Sequence, residues 1–213
     1  MLKIHKKITL DLPAFTNNII VSMSGGSDST LLTYLIAKYL KDNKIKKTIT
    51  PLIFLPKNHT NHFLNKKSDD ILKQITKLTK FKFCKKIIKY LKHKFELSSN
   101  DFNSFKQTDF IVLGATKNPN VKFEDDKNRD KKRDNQKYMI DNNGTKIDKK
   151  FIPLYHLNKK DIALIYKENN LLKSLLPYTY SCINENQEQT NQYKKPCKKC
   201  WWCEEKKWAF GVY

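Results

Sequence analysis

The chain has 213 residues, with 42 lysines and arginines against 21 aspartates and glutamates, for a formal net charge of +21. That length suits one domain with a real core and a small appendage. No window nears the roughly 18–20 apolar residues of a membrane span, and the opening MLKIHKKITLDLPAF has charge but no apolar stretch, so the cytoplasm is the expected location.

In chain order the elements alternate between strand and helix. Ile19, Ile20 and Val21 form a first strand, followed by the turn Ser24-Gly25-Gly26-Ser27-Asp28-Ser29-Thr30. Leu31, Leu32, Leu35, Ile36, Tyr39 and Leu40 then fall on one helical face. Thr48 to Leu55 reads as a buried strand, with Pro51 predicting an irregular or edge position. Ser68 is the expected cap of a second helix bearing Ile71, Ile75 and Leu78. Phe81 to Ile88 is a candidate short strand, Phe95 to Phe105 is ambiguous, and Asp109 to Ala115 is the clearest later strand. Residues 117–150 are charged and aperiodic, and read as a long insertion around a short strand at Tyr138 to Ile140. Phe151 to Leu154 is apolar again, and Asn158 opens a helix through Ile162, Ile165 and Tyr166. This alternation predicts an α/β fold: a mostly parallel sheet with helices on both faces, over residues 1–177. Residues 178–213 form a small C-terminal segment with its own chemistry.

The serine-glycine turn ends a strand and opens a helix, where converging N–H groups and the helix dipole attract an anion. Gly25 and Gly26 let the backbone approach a phosphate, while Ser24, Ser27, Ser29 and Thr30 add hydroxyls and Asp28 a carboxylate. No lysine follows the second glycine, which argues against a γ-phosphate-transferring P-loop. In a parallel sheet the turn and Gly114 lie on the same rim, so Gly114 is a candidate nucleotide contact, a plain strand end being the competing reading. His59 and His62 follow the second strand and read as surface histidines.

Cys182, Cys197, Cys200 and Cys203 gather near the C-terminus, the last three as C-x-x-C-x-x-C. Such spacing turns thiolates onto one ion, so a structural Zn²⁺ is expected, with an iron–sulfur cluster as the competing occupant. Trp201, Trp202, Trp208 and Phe210 are expected to pack this knob against the domain, and Cys84 to be a small packed side chain. Arginine is confined to Arg129 and Arg133. Lysine, asparagine and isoleucine share AT-rich codons, so the charge permits nucleic acid as a partner without requiring it.

The turn resembles the S-G-G-x-D-S-[ST] signature of the PP-loop ATP pyrophosphatases. Together with Tyr180-Ser181-Cys182 and Lys195-Pro196-Cys197-Lys198-Lys199-Cys200-Trp201-Trp202-Cys203, the chain resembles 7-cyano-7-deazaguanine synthases of queuosine and related deazapurine pathways. Pro153-Leu154 followed by Asn158-Lys159-Lys160-Asp161 is similar to their penultimate strand and helix. The chain departs from that family in lacking its P-x-R-N and G-Y-P-D stretches, and Lys198 replaces a customary glycine. The resemblance implies ATP and Mg²⁺ as cofactors beside Zn²⁺, a deazapurine acid and ammonia as substrates, and a homodimer. It implies pyrophosphate held by Ser24 to Thr30, with Ser24, Asp28 and Ser29 at the chemistry. A PP-loop tRNA thiolase or sulfurtransferase is the first alternative. A zinc-containing nucleic-acid-binding protein without catalysis is the second.

Overall fold

The computed structural model describes residues 1–56, 63–91, 105, 109–134, 150–182 and 195–213. Its centre is a five-stranded, wholly parallel sheet in the order β5-β4-β3-β6-β7. The strands are β3 (Asn18–Ser22), β4 (Thr48–Pro56), β5 (Ile87–Leu91), β6 (Asp109–Leu113) and β7 (Lys150–Phe151). β3 is central, and its Ile19, Ile20 and Val21 are fully buried, as expected for a strand covered on both faces. From β3 the chain passes through α1 (Ser27–Asp42) to β4 and through α2 (Phe63–Thr79) to β5. It then crosses back to β6 on the other side of β3. Ser22 and Leu113 are register partners, so the C-terminal ends of β3 and β6 flank the crevice where the strand order reverses.

α1 is buried round most of its circumference, including Tyr34 and Ala37 off the main apolar stripe. The cause is crowding: the sheet, α2, α3 (Lys159–Glu168) and an N-terminal hairpin all pack on it. That hairpin, β1 (Leu2–His5) against β2 (Ile8–Leu10), was not expected from the sequence. It buries Ile4, Ile8 and Leu10 in the main core, and Lys6 and Lys7 in its turn pair with Glu168 and Asp161 of α3. The opposite face of the sheet carries a smaller cluster of Ile20, Leu52 and Ile111, with Phe54, Ile87, Phe105 and Leu113 around it. Among the described residues no helix is long and apolar enough to cross a membrane.

Several local expectations are corrected. Pro51 sits in an interior strand rather than at an edge. Along a parallel strand successive residues point their N–H and C=O to alternate neighbours. Leu52 C=O bonds toward β3, and Ile49 C=O bonds toward Cys84 on the β5 side. Pro51 therefore faces the β5 side, where the ladder begins only at the next pair, Leu52↔Ile87, and its missing N–H costs no bond. Ser68 does not cap α2, which starts five residues earlier; its buried hydroxyl donates to the Asn65 C=O. Leu78 is on the solvent side of α2 rather than its apolar face. Phe81 and Phe83 are not in a regular strand but meet edge-on beneath the helices at 5.3 Å, and β5 begins later, at Ile87. Tyr138 to Ile140, His59, His62 and most of Phe95 to Phe105 lie outside the described residues.

Candidate nucleotide loop and metal centre

β3 runs straight into the serine-glycine turn, and the Met23 N–H extends its ladder to the Leu52 C=O. Gly25 then takes a left-handed φ of +79°, a conformation that disfavours side chains, and Gly26 becomes the N-cap of α1. A glycine cap has no side chain to offer, and the Thr30 N–H is the first to find a partner, the Gly26 C=O at 3.2 Å. The N–H groups of Ser27, Asp28 and Ser29 have no acceptor among the described residues. They open the helix at the crevice between β3 and β6, an uncapped positive end where anions bind.

The hydroxyls divide unequally. Ser24 is exposed, accepts the Gly26 N–H at 3.4 Å and lies 3.2 Å from the Ser29 hydroxyl. Ser27, Ser29 and Thr30 are buried, and Ser29 donates inward to the Gly26 C=O. Gly114 meets this turn from the end of β6. A Cβ added there would lie 2.7 Å from the Ser29 Cα and 2.8 Å from its N, so only glycine lets the two chains touch.

Asp28 points away from the open end. Its carboxylate accepts from the Lys159 ammonium at 2.6 Å, from the Thr116 hydroxyl at 3.1 Å and from the Ser27 hydroxyl at 3.2 Å. Lys159 also reaches Glu205 at 3.6 Å, and Glu205 takes Arg133 at 2.6 Å. Arg133 further donates to the Thr116 C=O and hydroxyl and the Lys117 C=O, and its guanidinium lies over the Trp201 and Trp202 rings. Two acids and two bases thus balance with almost no water contact. Burial, then the Lys159 charge, pushes the neighbouring Lys206 down to about 8. Tyr166 roofs the turn, donating to the Ser27 C=O at 2.9 Å, and burial holds its hydroxyl protonated far above the ordinary tyrosine range.

Sequence reasoning did not assign Lys159, Glu205 or Arg133 to this place. Arg133 lies in the stretch read as a long charged insertion around a short strand, whose residues 117–134 pack on the C-terminal helix α4 (Trp201–Phe210). The available signal was its rarity, as one of two arginines in a lysine-rich chain.

The four cysteines do converge. Their sulfurs lie within 4.8 Å of one another, with Cys197–Cys203 and Cys182–Cys200 both at 3.9 Å. The N–H groups of Lys199 and Cys200 point at the Cys197 sulfur, and that of Cys197 at the Cys182 sulfur, as suits thiolate acceptors. Hydrogen bonding to Cys182 and Cys200, followed by burial, drives the Cys203 thiol far above its usual range. Such crowding is relieved when a cation displaces the protons. Lys198 holds the knuckle with φ +65°. Trp201 is fully buried, with Phe123 edge-on at 5.7 Å, and Phe210 meets Tyr166 at 5.4 Å, so the aromatics pack the knob onto the domain as expected. Cys84 is exposed rather than packed, because its N–H pairs with the start of β4 while its side chain faces solvent.

The cysteine segment and the turn are neighbours. The Tyr180 N–H, two residues before Cys182, donates to the Gly25 C=O at 2.8 Å. The structure therefore brings the expected nucleotide residues Ser24 to Thr30 and Gly114 into one region with the segment that carries the four expected metal ligands.

No protein-family model matches the sequence, and no curated protein matches it. Among solved structures, the chain is similar to the U34-tRNA thiolase NcsA from Methanococcus maripaludis with its [4Fe-4S] cluster. The match has a TM-score of 0.46 at 16% identity, covering 90% of this chain and 68% of that one.

Proposed function

We propose that this chain is an ATP-dependent ligase that converts 7-carboxy-7-deazaguanine and ammonia to 7-cyano-7-deazaguanine. The observation that carries the nucleotide half is the uncapped start of α1, with three N–H groups that have no acceptor among the described residues, at the reversal of strand order. The acceptor half follows from the sequence resemblance at the two ends of the chain.

In this reading the N–H groups of Ser27, Asp28 and Ser29, with the exposed Ser24 hydroxyl, cradle the pyrophosphate of ATP. The substrate carboxylate attacks the α-phosphorus, and the bond to the β-phosphate oxygen breaks with release of pyrophosphate. Ammonia then displaces AMP from the acyl carbon and leaves the amide. A second adenylation on the amide oxygen, followed by loss of AMP and protons, gives the nitrile. Asp28 accepts from Lys159, Thr116 and Ser27, so its part is to hold the turn in shape. Bound Mg²⁺ supplies neutralisation of the charge that develops on the leaving pyrophosphate.

The cysteine set fits Zn²⁺. A tetrahedron with metal–sulfur bonds of about 2.3 Å has edges of about 3.8 Å; two sulfur pairs here are at 3.9 Å and all four sulfurs lie within 4.8 Å of one another. A four-iron cluster, whose metals stand between the thiolates, spreads its cysteines further apart. The ion's contribution is a cross-link that organises a segment poor in apolar residues.

The second reading, a tRNA thiolase, needs a reactive cysteine near the turn. Cys84 lies by the N-terminal end of β4, at the end of the strands opposite the turn, which leaves only the quartet to supply one. The deciding assay incubates the chain with ATP, Mg²⁺, ammonium and 7-carboxy-7-deazaguanine and looks for the nitrile by mass spectrometry, with AMP and pyrophosphate release. Nitrile formation is expected. Release that ignores every deazapurine acid but responds to tRNA would transfer the assignment to the thiolase.

A further inference from the structure

The metal-bearing segment grips the nucleotide turn at two independent points. Before its first ligand, the Tyr180 N–H holds the C=O of Gly25, the residue with the left-handed φ, while the Tyr180 ring packs edge-on against Phe63 of α2 at 4.7 Å. After its last ligand, Glu205 stands two residues beyond Cys203 and reaches Asp28 of the turn through Lys159. Arg133 anchors Glu205 from the other side and ties it to Thr116, whose hydroxyl also contacts Asp28.

We infer that Glu205 and Arg133 are positioning residues of the nucleotide turn, and that an occupied cysteine centre sets the turn's affinity for ATP. The inference rests on the nucleotide reading above. Asp28 supplies one of the three free N–H groups, and the carboxylate on the same residue is locked by Lys159. Lys159 is held in turn between two buried carboxylates, one of them on α4, whose N-cap is Cys200 and whose first turn carries Cys203. When the metal leaves, the first turn of α4 loses one of its anchors, Glu205 shifts, and both grips on the turn loosen together. Preorganised N–H groups are what an anion site depends on, because donors that must first be ordered offset the binding they provide. Linkage makes the effect reciprocal: bound ATP must tighten the metal by the same factor.

Three measurements on the full chain test this. ATP should slow the loss of metal from the loaded wild type to a chelator, and metal-stripped protein should bind ATP roughly 5- to 150-fold more weakly. The third uses the charge-balanced double variant Arg133→Met/Glu205→Gln, which removes one acid and one base and leaves every cysteine. It should keep its metal yet bind ATP at least about fivefold more weakly, with ATP protecting its metal less. A pair with a purely structural role would instead lower Tm and leave the ATP affinity of the folded, metal-loaded variant at the wild-type value. That result, or metal loss indifferent to ATP, overturns the inference. Failure of the metal-loaded wild type to bind ATP at all would strike the nucleotide reading itself, and so is distinguishable.

Discussion

At the scale of single residues, Gly114 and Lys198 are the positions where backbone geometry bears hardest on side-chain identity. Gly114 touches the backbone of Ser29, which cannot swing aside as a flexible side chain would. Gly114→Ala should cost about 1–3 kcal/mol by overpacking and weaken ATP binding, as urea titration and calorimetry would register. A variant as stable as wild type would show that β6 can retreat. Lys198 is the reverse case: a residue with a Cβ held at φ +65° in the metal knuckle. The strain of a left-handed residue, less the greater chain entropy of glycine, gives Lys198→Gly a gain of about 0.5–1 kcal/mol. Its exposed contact with the Tyr213 ring subtracts little. An unchanged or lower Tm would refute this account of the knuckle. The sequence made the serines, glycines and cysteines legible because their types have few other uses at such spacing. Lys159 was not legible, since a lysine among 42 basic residues carries no mark of its burial, and Arg133 was marked only by the rarity of arginine.

At the scale of elements, the two helices that meet the turn begin in opposite ways. α3 satisfies its own N-terminus: Asn158 accepts the N–H groups of Lys160 and Asp161, and the Asp161 carboxylate accepts that of Asn158. α1 leaves its first N–H groups without an acceptor among the described residues, as an anion site requires. Asn158→Ala should therefore destabilise the fold by about 1 kcal/mol. Burial pulls the Asp161 carboxyl upward, but the Asn158 N–H and the Lys7 ammonium outweigh it and hold it below the ordinary range. Its contribution is thus full above the unfolded-state value, near about 3.9, and lost as pH falls through the lower folded-state value. Asp161→Asn should flatten the acid limb of the stability profile while leaving its shape above pH ~6 unchanged; an acid limb identical to wild type would exclude this role. The helix at Asn158 was predictable because its cap and period are local. The helix start before Ser68, the place of Pro51 and the N-terminal hairpin were not. Each is decided by which neighbour a residue meets, and the hairpin's lysine turn lacks the usual Gly or Asn.

For the molecule as a whole, the C-terminal segment is the part least able to fold unaided, because its apolar residues are concentrated in α4. Removing the metal should lower Tm by more than about 5 °C and shift the emission of Trp201 as water reaches a fully buried ring. Elemental analysis should find one zinc per chain. A colourless, metal-free preparation with an unchanged Tm would argue against a structural ion. Residue types and short-range periodicity alone determined the strand–turn–helix at Ser24 to Thr30, the alternation that makes a parallel sheet, and the cysteine quartet, because each depends on neighbours within a few positions. Tertiary structure alone decided that the segment carrying the quartet meets the turn, through Tyr180, and that Asp28 serves Lys159 rather than open solvent. It also placed the charged insertion's Arg133 in the balanced group of charges behind the turn. The charge pairs Arg133–Glu205 and Lys159–Asp28 span 72 and 131 positions of chain, and what selects them is the cost of burying a charge unpaired, which exists only once the chain has closed around it.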